Sequence, residues 1–102
     1  MSLHLPDDRL AERIREHVLE MLHRRGMGRS ICPSEAARAV AGELACDWQD
    51  LMRPVRTVAA AMVDSGLIEA TQHEAVVDLR DVRGPIRLRL RSLAGRRNGT
   101  IG

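Results

Sequence analysis

Between Ile31 and Gln72 the chain places two short helix starts, a helix stop and a pair of alternating segments in an order that few small folds use. Ile31-Cys32-Pro33-Ser34-Glu35 opens a helix, with the proline at the first helical position, where a missing N–H costs nothing. Asp47 is a good N-cap for a second start at Trp48, and Gly66 supplies the stop. Leu67 to Leu79 then alternates around a polar turn at Gln72-His73-Glu74, the pattern of a β-hairpin. Trp48, Leu51, Met52, Val55, Val58, Ala59 and Met62 form an apolar stripe that Pro54 interrupts. An interior proline costs roughly 3 kcal/mol, so the spacing predicts a separate turn over Trp48 to Met52 and a longer helix restarting near Pro54.

The flanking segments complete the outline. Leu5-Pro6-Asp7-Asp8 starts a first helix in which Leu10, Ile14, Val18, Met21 and Leu22 recur at helical spacing, and Gly26 ends it after His23-Arg24-Arg25. Ile31 reads as a short extended residue before the second helix, whose buried side is Ala36, Ala37, Val40 and Leu44. Beyond the hairpin, Arg83-Gly84-Pro85 turns into Ile86-Arg87-Leu88-Arg89-Leu90-Arg91, a strict period of two with one aliphatic and one guanidinium face. The expected fold is α+β: a winged helix-turn-helix of three helices followed by a β-hairpin wing and an additional C-terminal strand. Residues 7–91 form its single domain, and 92–102 a flexible basic C-terminal tail.

Composition restricts both core and chemistry. With no Phe or Tyr, the core must be built from Leu, Ile, Val, Met and Ala around the single Trp48, which is expected at its centre. So few aromatics exclude a stacking platform for unpaired bases. All sixteen basic side chains are Arg. Codon bias in a GC-rich genome accounts for that more readily than phosphate recognition does, so placement carries more than identity. Residues 1–79 hold nine Arg against thirteen Asp and Glu, a balance of −4, whereas residues 80–102 hold seven Arg against Asp81, a balance of +6. A basic end of this kind suits a polyanion. Cys32 and Cys46 belong to no metal-binding pair, and neither an export signal nor an apolar run of about 20 residues is evident, so reduced thiols, a soluble chain and a cytoplasmic setting are expected.

Several segments together resemble a small bacterial domain family of unknown function with a winged-helix fold. They are Ile31-Cys32-Pro33-Ser34-Glu35-Ala36-Ala37-Arg38, Trp48-Gln49-Asp50-Leu51-Met52 with Val55-Arg56, Gly66-Leu67-Ile68-Glu69 with Thr71-Gln72, Val77-Asp78, and Arg83-Gly84-Pro85-Ile86-Arg87-Leu88. The resemblance spans roughly residues 10 to 91 and implies the fold, but no activity. Gly-rich hairpin turns occur in relatives where this chain has His73-Glu74, so a tight glycine-dependent turn is not expected here.

No nucleophile beside a base, paired carboxylates or phosphate-binding glycine loop stands at recognisable spacing, so a binding module without catalysis, metal or cofactor is expected. Duplex DNA is the first candidate partner. Ser34, at a helix start, can hold a phosphate with backbone N–H groups, and Arg38 lies on the same helix. Arg53, Arg56 and Thr57 occupy the exposed start of the helix that would enter a major groove. His73, Arg83, Arg87, Arg89 and Arg91 line the wing side, where they can track phosphates. Against this, Asp47, Asp50 and Asp64 outnumber Arg53 and Arg56 and leave the entering segment at −1. The alternative is a docking or dimerisation module for itself or another protein, in which the acidic first helix meets the basic strand. Neither reading involves a membrane.

Overall fold

The computed structural model describes residues 8–91, so the helix start at 5–7 and the tail 92–102 lie outside the described residues. In chain order the elements are α1 (Asp8–Arg25), β1 (Ser30–Ile31), α2 (Pro33–Leu44), a 3-10 turn (Trp48–Leu51), α3 (Met52–Asp64), β2 (Ile68–Gln72), β3 (Ala75–Val76) and β4 (Arg87–Leu90). The fold is α+β, with three α-helices and a four-stranded antiparallel sheet in the order β1-β4-β2-β3. Among the described residues no helix is long and apolar enough to cross a membrane.

The helix boundaries follow local chemistry. α1 buries Ile14, Val18 and Leu22 and stops at Gly26, whose φ of 97° is available to glycine without a Cβ penalty. At the start of α2 the Glu35 carboxylate accepts from the Cys32 backbone N–H at 3.3 Å and also meets Arg25, so the positive helix end is already answered by an anion of this chain. Burial pushes the Glu35 carboxyl up, but the Cys32 backbone and thiol donors and the Arg25 guanidinium outweigh it and hold the group below the usual carboxylate range. Asp47 Oδ1 accepts from Gln49 N–H at 3.4 Å and starts the 3-10 turn. α3 begins at Met52, which places Pro54 in its first turn, where a backbone N–H has no intrahelical acceptor and its absence costs no hydrogen bond. It ends in a Schellman arrangement: Leu67 N–H donates to Met62 O at 3.1 Å and Gly66 N–H to Val63 O at 3.0 Å.

Ile31, read from the sequence as a short extended residue, belongs to the two-residue strand β1, whose pairing the sequence did not indicate. Ile31 pairs with Leu88, which also pairs with Ala70, so β4 is the inner strand between β1 and β2 and not an addition at the edge. All three side chains are fully buried, facing Ile14, Val18 and Leu22 of α1 and Val55, Ala59 and Met62 of α3 within one core cluster. Two packing expectations are corrected. Trp48 is only half-buried and packs at the edge of the core, with Arg38 stacked 4.3 Å from its ring centroid, because the 3-10 turn lies at the corner between α2 and α3. Leu44 is 44% exposed, because α2 ends there and the chain turns through Ala45 in the left-handed conformation.

The hairpin turn is tight without glycine. Thr71 pairs with Val76 and Gln72 with Ala75, leaving His73 (φ 53°) and Glu74 (φ 69°) as the two connecting residues, both with the positive φ that a type I′ turn needs. α1 and α2 are joined by a surface cluster in which Arg13 and His17 both reach Glu43, His17 Nε2 lying 2.7 Å away. Hydrogen bonds from Arg13 and then His17 pull the Glu43 carboxyl down to about 2.

Three outcomes are expected. Relieving the left-handed strain with Ala45→Gly or Glu74→Gly should raise stability by about 0.5 to 1 kcal/mol in urea unfolding, the net of strain relief and glycine entropy. Leu88→Ala should cost about 2 to 5 kcal/mol and exceed Trp48→Ala, the reverse of what a central tryptophan requires. The contribution of Glu43 should be present above its unfolded-state value near 4.5 and disappear as pH falls toward 2, a loss that Glu43→Gln abolishes.

Candidate functional site

The exposed side of α3 carries Arg53, Thr57, Ala61 and Asp64, with Arg56 half-buried beside them. These positions recur at three- and four-residue spacing and so form one stripe. Arg53, Arg56 and Thr57 line a cleft of about 510 Å³ together with Met52, Ala60, Leu79 and Arg80. The structure therefore joins the three candidates on α3 to the loop after β3, which sequence reasoning had not selected. Leu79 is buried and anchors that loop in the core. Asp78 Oδ1 accepts from Arg80 N–H at 3.0 Å, and Asp78 O accepts from the Asp81 and Val82 N–H groups, both at 3.0 Å. This local turn aims Arg80 back at α3.

Arg80 there forms a fork on Asp64, with Nη1 to Oδ1 at 3.1 Å and Nη2 to Oδ2 at 2.8 Å. The pair holds the Asp64 carboxyl below the usual range, first through these hydrogen bonds and then through the guanidinium charge. Arg53 and Arg56 have no acidic partner among the described residues. Counted in space, the Arg80 fork answers the acid at the C-terminal end of α3, while at its N-terminal end Arg53 and Arg56 stand against the exposed Asp47 and Asp50 of the preceding turn, so the segment comes to neutral.

A second cleft, of about 540 Å³, lies on the solvent face of the sheet and brings His73, Arg87 and Arg89 together with Gly28, Ser30, Thr71 and Glu74. The two clefts share no lining residue. Here the row of guanidinium groups is interleaved with partners. Arg87 Nε donates to Ser30 Oγ at 2.6 Å and its Nη2 to Ser30 O at 3.1 Å. Arg89 Nε donates to Glu69 Oε1 at 3.0 Å, across the β4–β2 register. Cross-strand pairing thus answers the like-charge repulsion that the bare alternation implies.

The remaining candidates line neither cleft. Ser34 is half-buried in the first turn of α2, its Oγ 3.4 Å from Cys32 Sγ. Arg38 lies over Trp48. Arg83 is exposed, and its carbonyl accepts from Gln72 Nε2 at 2.7 Å, a bond that with Pro85 O at 3.2 Å ties the return of the loop to β2. Arg91 is half-buried just after β4, with its backbone N–H donating to Leu67 O at 3.1 Å. On α1, two of the acids set against the basic strand in the docking alternative have local partners: Arg13 for Glu16 and Arg24 for Glu20. Cys32 and Cys46 are free cysteines, and among the described residues no group of three His, Cys, Asp or Glu is placed to hold a metal.

The fork between Arg80 and Asp64 has a measurable consequence. A depressed carboxyl keeps the pair intact above the ordinary carboxylate range and releases it only as pH falls through the lowered value. Carboxyl titration by NMR should find Asp64 returned to the ordinary range in Arg80→Ala. An unchanged titration would show that the fork does not persist in solution.

A search of curated proteins found no match to the chain. The model of one protein family, described as "Protein of unknown function (DUF3253)", matches residues 11–91. That span runs from the second turn of α1 to the residue after β4, so it takes in the whole sheet, both clefts and the cluster at Glu43. The chain belongs to the DUF3253 family of proteins of unknown function.

Proposed function

We propose that this protein is a non-catalytic winged helix-turn-helix that binds duplex DNA, with α3 as its recognition helix and the 73–86 loop as its wing. α2, the 3-10 turn and α3 supply the helix-turn-helix, and β2 and β4 supply the strands from which the wing projects. The observation that carries the reading is the charge on α3. Arg53 and Arg56 stand without acidic partners at the N-terminal half of an exposed helical face, while Asp64 at the far end is held by Arg80. The fork takes Asp64 out of the −1 of the bare segment and leaves it neutral, Arg53 and Arg56 against Asp47 and Asp50, which opposes a phosphate backbone less. Thr57 and the exposed Ala61 extend that face with small side chains, which lets a helix sit close to base edges. The docking alternative is less well supported, because Arg89 is already paired with Glu69, and Glu16 and Glu20 with arginines of their own helix.

A salt titration of binding to a fluorescent random duplex tests the proposal. Each phosphate contact contributes about 0.9 to the slope of log affinity against log salt, so Arg53→Gln with Arg56→Gln should flatten it by about 1.8. Arg89→Gln should change it less, since Glu69 already holds that side chain. An unchanged slope after the double substitution, or a self-association that vanishes in high salt without any duplex binding, would favour docking.

A further inference from the structure

The cleft on the solvent face of the sheet is separate from the α3 surface and carries chemistry of its own. We infer that it binds a small anion bearing a carboxylate or phosphate group, with Arg87 and Thr71 as its principal contacts. Two independent observations converge on it. Arg87 is oriented by Ser30 through neutral acceptors only, the hydroxyl at 2.6 Å and the carbonyl at 3.1 Å. Its guanidinium is therefore fixed in direction yet not neutralised, and Nη1 keeps both of its donors for a ligand. This differs from Arg89 beside it, whose charge Glu69 answers.

Thr71 is the second observation. It is the one buried polar residue among the described residues, 5% exposed, and it lines the same cleft; since no buried side-chain N or O atom lacks a partner there, its unbonded hydroxyl is the part that opens to the cleft. A hydroxyl open to the cleft is free to donate to a ligand. A hydroxyl donor and an oriented guanidinium converge on a cleft of about 540 Å³, a size that suits a small ligand, and its lining is polar apart from Gly28, which suits a charged one. The space is far too small for a duplex. Thr71 stands opposite Arg87 in the β2–β4 register, so the pairing of the sheet itself sets the two contacts side by side. His73 and Glu74 stand at the rim on the hairpin turn. The exposed Glu74 carboxylate opposes an anion, which gives the site a signed test.

The full chain, labelled with nitrogen-15, is titrated with inorganic phosphate and separately with malonate at constant ionic strength, following backbone amides and the Arg87 Nε–H. Saturable shifts at Thr71 and Arg87 are expected, and whichever anion saturates at lower concentration names the group recognised. Arg87→Gln should weaken binding about tenfold, as loss of a charge-assisted contact implies, and the nearly isosteric Thr71→Val by about threefold. Glu74→Gln should tighten it. Arg53→Gln should leave it unchanged, and Thr71→Val should leave duplex binding unchanged, so this site and the α3 surface can fail separately. Shifts that rise without saturation for both anions, or spread over exposed arginines at large, would overturn the site. So would Thr71→Val and Glu74→Gln proteins with unaltered affinity, and these two decide the matter if Arg87→Gln does not fold.

Discussion

Leu88 has no exposed surface, and its backbone lies between Ile31 on one side and Ala70 on the other. Without β4 in that position, β1 and β2 would have no partner in common, and the helices would lose the apolar layer that α1 and α3 pack on. The last strand of the described chain therefore completes both the hydrogen-bond ladder and the core. Its pairing with β1 is highly non-local, so loop closure must precede any gain from it. The helices can form from local signals, but their relative placement depends on this strand.

The same strand redistributes the charge that the sequence concentrates near its end. Arg87 is turned to Ser30 and Arg89 to Glu69, each across the sheet. A third arginine, Arg80, is directed by a turn at Asp78 to the C-terminal end of α3. Net charge per segment treats all of these as free. In space, the unpaired positive side chains at the start of α3 gain weight relative to those of the strand. Exposed pairs of this kind add little to stability individually. Their effect is to decide which charges remain available to a partner.

Two surfaces emerge with different physical character. The α3 side is an open helical face flanked by a loop that Leu79 pins to the core and Gln72 ties at its return. The sheet side is a polar recess in which Ser30, Thr71, Arg87 and Arg89 are set by the strand register, while Gly28, His73 and Glu74 come from the connecting loop and turn. Both are reached by the same loop, which leaves β2 through His73 and Glu74 and comes back at Arg87. A change in that turn has the means to act on either surface.

Much of the architecture was legible residue by residue. Pro33 and Gly66 mark helix ends whatever surrounds them, Pro54 forces the break that appears as the 3-10 turn, and the Ile86–Arg91 alternation reads as a strand because its period is two. Three features escaped that reading. Ile31 reads as extended, but two residues carry no period that could name Leu88 as the partner of β1. Trp48 is the largest apolar side chain, yet its position at the corner after α2 keeps it at the rim, since burial follows from where the helices meet and not from side-chain size. The tight turn at His73 and Glu74 lacks the glycine that announces such turns, and is held by the pairs on either side of it. For the candidate site, residue type and local spacing placed Arg53, Arg56 and Thr57 on one face of α3. The approach of Arg80 to Asp64, the alignment of Arg87 by Ser30 and the burial of Thr71 are contacts between segments distant in sequence. The sequence by itself determined where the second and third helices start and stop and that the 86–91 segment is extended, because those signals act within a few residues. Only the tertiary structure decided which charges are paired and which polar groups share a cleft, because these depend on through-space distances of about 3 Å that no local pattern encodes.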